Sequence, residues 1–264
     1  MENDKKNISV VRLTENGKGK RNDFVAREFP LTIILNNQEL VTLLCTPSNL
    51  NYLALGFLSS EGLIQNKDEI KKVMVDEKRG VVRVETKADK EFDQELVFKR
   101  FITSGCGRGA SFYSAADVRE GSMITSQIKI SGSEVLSLMK DFLQHSQIYK
   151  ETGGVHGSAL CDNMNILIFA DDIGRHNAVD KIFGRCLLEG MVTDNYFIIT
   201  SGRISSEVLL KVAKRNIPIL ISKSAPTDLG VKLAADLGIT LIGFVRGKRM
   251  NIYANDWRVT DNKP

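Results

Sequence analysis

The sequence predicts an α/β protein: a mixed or parallel sheet with flanking helices in the C-terminal part, preceded by a smaller β-hairpin-rich part. Three observations carry this. From Ile166 onward, short runs rich in Ile, Leu and Val alternate with segments of helical period, the pattern of parallel crossovers on one sheet. Earlier in the chain the apolar runs come in pairs joined by short polar turns, which is how hairpins read. The 264 residues are 42% hydrophobic and 26% charged, enough apolar material for one large domain or two small ones.

Residues 1 to about 22 carry many Lys, Arg, Asn and Glu and little apolar periodicity, and are expected to be poorly ordered. Phe29 to Leu35 and Glu39 to Leu44 flank Asn36-Asn37, a hairpin signal. Ser48 reads as a helix cap; Leu50, Leu53, Ala54, Phe57 and Leu58 share one face, and Gly62 ends the run. Lys72 to Val75 and Val81 to Thr86 flank a charged turn at Asp76 to Gly80. A polar stretch and a glycine-rich loop follow. Ser133 opens an amphipathic helix through Val135, Leu136, Met139, Phe142 and Leu143. Gly157 to Cys161 and Ile166 to Ala170 flank Asp162-Asn163, a third hairpin. The regular series then runs strand Ile166–Ala170, helix near Asn177–Leu188, strand Tyr196–Thr200, helix near Ser205–Lys214, strand Ile219–Ser222, helix near Thr227–Leu237, strand Thr240–Val245. The expected organisation is a poorly ordered start at 1–22, a β-rich part at 23–125 and an α/β ligand-binding part at 126–264.

The glycine-rich loop is Thr103-Ser104-Gly105-Cys106-Gly107-Arg108-Gly109-Ala110. Glycine weakens helices and strands, so the loop reads as mobile. A nearby Arg favours thiolate over thiol, and thiolate is the nucleophile. Cys106 is therefore the candidate reactive group, against the plainer alternative of a small apolar cysteine in a turn. Cys45, Cys161 and Cys186 are scattered, with no C-x-x-C pair, so neither a zinc knuckle nor a disulfide framework is indicated. Cys161 and Cys186 fall in an expected strand and helix and are expected to be structural.

In open parallel sheets, ligands bind beyond the carboxyl ends of the strands. The segments there are Asp171-Asp172-Ile173-Gly174-Arg175-His176, Ser201-Gly202-Arg203, Lys223-Ser224-Ala225-Pro226-Thr227-Asp228, and Arg246-Gly247-Lys248-Arg249. Three run into helix N-termini, whose free N–H groups attract anions. Arg175, Arg203, Lys223, Arg246, Lys248 and Arg249 add positive charge. Any one loop alone is an ordinary capped turn; four on one edge indicate a phosphate-bearing, nucleotide-like ligand. His156 and His176, each flanked by glycine and polar residues, are candidates for ligand contact or proton transfer. His145, inside a helix, is read as structural.

Several classes are excluded or disfavoured. No Walker A or G-x-G-x-x-G motif is present, so nucleoside triphosphate hydrolysis is unsupported. A zinc nucleobase deaminase needs H-x-E followed by P-C-x-x-C; here Ser158 stands at the Glu position, no C-x-x-C follows, and no metal site is expected. A net charge of +4 is too small to argue for nucleic acid. With no signal segment and no membrane-length apolar run, the expectation is a cytoplasmic protein with reduced thiols and no membrane contact.

Taken together, the motifs resemble the FdhD/NarQ family of formate dehydrogenase accessory sulfurtransferases over roughly residues 25 to 255. The segments that carry the resemblance are Leu55-Gly56-Phe57-Leu58 with Glu61-Gly62, Thr152-Gly153-Gly154-Val155-His156, Asp172-Ile173-Gly174-Arg175-His176-Asn177-Ala178-Val179-Asp180-Lys181, Thr200-Ser201-Gly202-Arg203 and Gly243-Phe244-Val245-Arg246-Gly247. The resemblance implies a cytidine-deaminase-like α/β fold without the zinc site. It implies a sulfur carrier loaded by a cysteine desulfurase as a persulfide on Cys106. The sulfur would pass to the molybdenum cofactor in its bis-molybdopterin guanine dinucleotide form, before insertion into formate dehydrogenase. It places cofactor binding on Phe244, Val245, Arg246, Gly247, Lys248 and Arg249, beside Ser201, Gly202, Arg203, His156 and His176 from the strand-end loops. The resemblance, and nothing in the residues, brings a homodimer into consideration.

One departure stands out. Many members carry C-x-x-C in the loop, and here Gly109 occupies the second cysteine position. A second thiol could attack the persulfide and release its sulfur, or assist its delivery, so its loss reads either way. Two rival readings remain: a chaperone that delivers the cofactor without moving sulfur, and a nucleotide-modifying enzyme on a deaminase-like scaffold.

Overall fold

The computed structural model describes residues 4–87 and 123–261. The first element corrects an expectation. The N-terminal stretch expected to be poorly ordered forms a long antiparallel ribbon, β1 (Lys5–Thr14) with β2 (Gly17–Ala26), paired from Lys5↔Ala26 to Thr14↔Gly17. The physical reason lies at Glu15-Asn16, a two-residue turn closed by Gly17 at φ 120. Glycine adopts such a backbone at no steric cost, and Asn-Gly is a strong hairpin signal. The ribbon was masked in the sequence because its side chains stay mostly in solvent, so its strands carry no apolar stripe.

A four-stranded sheet follows, in the order β4-β3-β6-β5. Its strands are β3 (Phe29–Leu35), β4 (Gln38–Cys45), β5 (Ile70–Asp76) and β6 (Val81–Thr86). Asn36 and Asn37 turn the β3–β4 hairpin with φ of 47 and 66, the left-handed pair a type I′ turn requires. Helix α1 (Leu50–Ser60) covers this sheet and buries Leu50, Leu53, Ala54, Phe57 and Leu58. Its cap is Asn49 rather than Ser48, held in the left-handed region at φ 56 that Asn tolerates better than most residues.

The main sheet has six strands, in the order β13-β12-β11-β10-β8-β9. Its strands are β8 (His156–Cys161), β9 (Ile166–Asp172), β10 (Phe197–Thr200), β11 (Ile219–Ser222), β12 (Thr240–Arg246) and β13 (Arg249–Ala254). β10, β11 and β12 are parallel; β8 runs antiparallel to both β9 and β10, and β13 antiparallel to β12. β9 therefore points the same way as β10 but lies one strand beyond it. Helices α4 (Arg175–Glu189), α5 (Ser206–Ala213) and α6 (Asp228–Asp236) connect the strands as expected. On the other face, α2 (Gly132–His145) packs Val135, Leu138, Met139 and Phe142 against Ala159, Ile199, Ile221 and Ile242. It starts at a capping box built by Ser131 and Glu134, two residues before the expected Ser133. The short α3 (Gln147–Thr152) follows, and β7 (Ile130–Ser131) pairs with β14 (Val259–Thr260).

Two devices join the small sheet to the large one. First, α1 and α4 touch backbone to backbone. A Cβ on Gly56 would lie 1.7 Å from the Asp180 carbonyl oxygen, and one on Gly184 1.9 Å from that of Tyr52. Second, buried charges cross the junction. Lys181 Nζ lies 2.7 Å from Asp172 Oδ2 and donates to Thr46 Oγ1 at 2.6 Å; Thr46 donates its backbone N–H and its hydroxyl to the same carboxylate. Asn177 bridges Asp172 Oδ1 and the Leu44 carbonyl, both at 2.9 Å. One turn on, Asp180 accepts from Ser60 Oγ at 2.7 Å and from Lys211. No helix among the described residues is long and apolar enough to cross a membrane.

Candidate functional site

The topology brings the carboxyl ends of β9, β10, β11 and β12 to one edge, and antiparallel β8 begins there. His156 pairs with Asp172, Ser158 with both Ala170 and Thr200, and Thr200 with Ser222. All four polar loops read from the sequence therefore share one rim.

Short hydrogen bonds lock the rim loops to one another. Ser201 Oγ accepts from the Gly157 N–H at 3.1 Å and lies 3.3 Å from His156 Nδ1, and the Ser201 N–H donates to the Gly157 carbonyl at 3.0 Å. Ser222 Oγ donates to the Gly202 carbonyl at 2.7 Å, and Ser224 Oγ to the Ser201 carbonyl at 2.8 Å. The Phe244 N–H donates to the Ser224 carbonyl at 3.2 Å, tying the β12–β13 end to the same ladder. These bonds fix the rim before any ligand arrives.

A cleft of about 450 Å³ opens beside it, within the range of small-molecule sites. Its polar side is His156, Ser201, Lys223 and Ser224; its apolar wall is Phe142, Leu143, Val155, Phe169 and Ile173; Tyr149, Gly153 and Gly154 close the rest. Phe142 and Phe169 have ring centroids 5.7 Å apart, and Lys223 Nζ sits 6.0 Å from the Tyr149 ring centre. Gly157 leaves room for both phenylalanines: a Cβ there would meet their rings at 3.1 to 3.2 Å.

The electrostatics favour an anion. Burial and the Arg175 and Arg203 guanidiniums push His156 below its usual range, so it is neutral at pH 7 and can share a proton with Ser201. Burial and Arg203 likewise press Arg175 down, and Arg175 Nε is buried without a hydrogen-bond partner among the described residues. Gly202 makes room for this arginine: a Cβ there would lie 2.8 Å from Arg175 Cβ.

The sequence-derived candidates divide. His156 and Ser201 line the cleft, while Gly202 and Arg203 follow directly on the same loop. His176 is 3% exposed, lies 3.3 Å from Glu207 and is pushed down to about 3, mainly by burial. It is a neutral, buried group at the start of α4 and does not line the cleft. Val245 is buried and Phe244 half-buried at φ 52, with the Arg246 guanidinium 4.9 Å from its ring. Arg246, Gly247, Lys248 and Arg249 form an exposed turn outside the cleft lining. Cys106, with Arg108 and Gly109, lies outside the described residues. The other three cysteines are buried, and burial pushes their thiols to about 12 for Cys45 and Cys161 and about 11 for Cys186. Among the described residues, no group of three or more His, Cys, Asp or Glu could hold a metal ion.

Sequence reasoning missed the wall made by Phe142, Tyr149 and Phe169. The available signal was Gly153-Gly154, two glycines that let the α3 end bend directly into β8.

The FdhD/NarQ family profile matches residues 26–260. Sulfur carrier protein FdhD of Bacillus subtilis (strain 168) is 48% identical over 252 residues, 96% of each chain. That of Staphylococcus aureus (strain MRSA252) is 40% identical over 254 residues, again 96% of each chain. A crystal structure assigned to a formate dehydrogenase accessory protein from Desulfotalea psychrophila superposes with a TM-score of 0.80 at 26% identity, covering 97% of this chain and 99% of the other. The chain belongs to the FdhD/NarQ family.

Proposed function

We propose that this chain is a cytoplasmic sulfur carrier that serves formate dehydrogenase. It accepts sulfur from a cysteine desulfurase as a Cys106 persulfide and passes it to the molybdenum cofactor in its bis-molybdopterin guanine dinucleotide form, its substrate. The carrying observation is the preassembled rim. Five strand ends share one rim beside a cleft with an aromatic wall and a neutral His156–Ser201 pair, and on that rim the buried Nε of Arg175 has no hydrogen-bond partner among the described residues. Such a site takes one planar, phosphate-bearing unit of the cofactor, with Arg175, Arg203 and Lys223 supplying charge. Arg246, Lys248 and Arg249 would meet phosphates further out. We read the sheet as a cytidine-deaminase-like arrangement without zinc chemistry, a reading supported by Ser158 at the Glu position of the H-x-E motif such chemistry needs.

Cys106 as carrier is supported by what the other thiols are. A thiol raised to about 11 or 12 inside a packed core is almost entirely protonated at pH 7 and out of a partner's reach. In the loading step the Cys106 thiolate attacks the outer sulfur of the donor's persulfide. A new S–S bond forms, the donor's S–S bond breaks, and the donor thiolate leaves, so the exchange between the two cysteines is redox-neutral. One thiol suffices to hold the sulfur, so Gly109 in place of a second cysteine is compatible with carriage.

Intact-protein mass spectrometry after incubation with desulfurase and cysteine tests this. The expected result is a gain of one sulfur atom, reversed by reductant and absent in Cys106→Ala. An equal gain in the variant removes Cys106 from the role. If Cys106→Ala still matures formate dehydrogenase, the chain is a cofactor chaperone instead.

A further inference from the structure

The β1–β2 ribbon has no part in the site described above, and all but its last residue precede the stretch the family profile matches. Its strands of ten residues give an arm about 33 Å long. Each strand pairs only with the other, and no other described strand pairs with either outer edge. A lone two-stranded hairpin in water is marginal, and free edges are a template for pairing. This one also leaves Val11 55% and Leu13 77% exposed. Those two side chains share a face with Lys20 and Lys18, their cross-strand partners.

The charge is equally concentrated. Between Lys5 and Ala26 stand Lys5, Lys6, Arg12, Lys18, Lys20 and Arg21 against Glu15 and Asp23, a net +4. The whole chain carries +4, so everything outside the ribbon sums to zero. Among the described residues the arm is tied to the body at its base, where Lys5 pairs with Glu151 and Ala26 abuts Gly154; the Arg27 N–H adds one more rung to the ladder by donating to the Asp4 carbonyl. Glu151 lies in α3 and Gly154 in the turn that lines the cleft, so the base of the arm stands beside the cleft.

We propose that the ribbon is a docking arm for an acidic surface of the protein that receives the cofactor, the apo form of formate dehydrogenase; this rests on the function proposed above. A second copy of the chain would bring the same +4 against itself, with a body of no net charge to offer. Nucleic acid is less well matched, because the outer half of the ribbon carries Val11 and Leu13 but no aromatic ring on which a base could stack. The partner's negative charge would meet Lys18, Lys20 and Arg21, its apolar side chains would cover Val11 and Leu13, and a strand could extend either free edge.

The test compares the full chain with a triple variant, Lys18→Glu, Lys20→Glu, Arg21→Glu, and with the milder Gln triple. Two readouts are taken: affinity for purified apo-formate dehydrogenase at low and high salt, and persulfide loading of Cys106 by desulfurase. The expected result is affinity at least tenfold weaker for the Glu triple, an intermediate loss for the Gln triple, a steep salt dependence for wild type alone, and unchanged loading. Equal affinities overturn the proposal, as does a wild type that does not bind the apoenzyme while still loading sulfur. Loss of binding to single-stranded RNA with enzyme binding intact would make the ribbon a nucleic-acid arm and also overturn it. Failure of loading in every form, by contrast, sinks the carrier function itself.

Discussion

The segment Asp172–Lys181 and the turn Arg246–Arg249 are both dense in charge, yet the fold uses them in opposite ways. In the first, Asp172, Asn177, Asp180 and Lys181 are all buried. Their partners are Thr46, Leu44, Ser60 and Lys211, which belong to the small sheet, α1 and α5. In the second, Arg246, Lys248 and Arg249 all face solvent. A run of charged residues thus marks an internal joint in one place and an open surface in the other. The segment Asp172–Lys181 mainly holds the cleft's supports together; Ile173 lines the cleft and Arg175 packs against Gly202 on the rim.

Breaking the joint should have the largest effect. Lys181→Met leaves Asp172 as a buried carboxylate without its cation, which costs about 3–5 kcal/mol. Urea denaturation reads this directly. Pairing it with Asp172→Leu should recover part of the loss, because two apolar groups leave no unmatched charge. A loss below about 1 kcal/mol for the single variant would mean that water or Thr46 already solvates the carboxylate, and the contrast between the two regions would fail.

That joint also shows where sequence stops being legible. The Asn36-Asn37 turn, the strand–helix alternation after Ile166 and the convergence of four loops follow from local signals: left-handed asparagines, apolar period and crossover topology. Cleft residues His156 and Ser201 came out of the same reasoning. What stayed hidden depends on distant partners. Nothing near Thr46 says that it will meet Lys181. Gly56 and Gly184 look like weak points in two helices until the helices are laid together. Antiparallel β8 sits between β9 and β10, though the chain order suggests that those two are neighbours. His176 looked like a ligand contact because glycine and arginine precede it, but α4 turns it inward. The ribbon was hidden for the opposite reason: it has almost no tertiary partners, so no apolar stripe announces it.

A smaller effect sharpens the comparison at the boundary between joint and rim. Asp171 accepts from Ser146 Oγ at 2.8 Å, and its other oxygen is buried without a hydrogen-bond partner among the described residues. Burial, aided by Asp4 and Asp172, raises its carboxyl to about 6, against Ser146 and Lys181. The folded state therefore holds a proton that the unfolded chain has released, so this group's contribution is greatest below pH 4 and is lost as pH rises to about 6. Asp171→Asn keeps an acceptor for Ser146 and removes the ionisation. The variant should be more stable than wild type at pH 7 by about 1 kcal/mol, a figure held down by the group's partial exposure, with the difference gone near pH 4. Chemical denaturation at both pH values checks it; a difference that does not change with pH would assign the effect to packing.

The smallest change in stability belongs to the rim, and there function and stability should separate. Lys248 lies in the two-residue turn Gly247-Lys248 and Arg246 and Arg249 pair across its base; Gly247 at φ 59 supplies the left-handed backbone, so the cations are not needed to shape it. Replacing Lys248 and Arg249 with Glu should shift the unfolding free energy by no more than about 0.5 kcal/mol. The same change reverses the sign of the field where outer phosphates of a guanine dinucleotide would lie. With guanosine diphosphate as probe, affinity should fall about tenfold at low ionic strength and by less at high salt, since exposed charges are screened within about 10 Å at 0.1 M. Ser201→Ala, in the cleft itself, should weaken the same probe at every salt concentration, because it removes a contact and not a field. If the turn variant binds the probe as wild type does while Ser201→Ala does not, the ligand sits wholly within the cleft, and Arg246–Arg249 is only a solvated hairpin end.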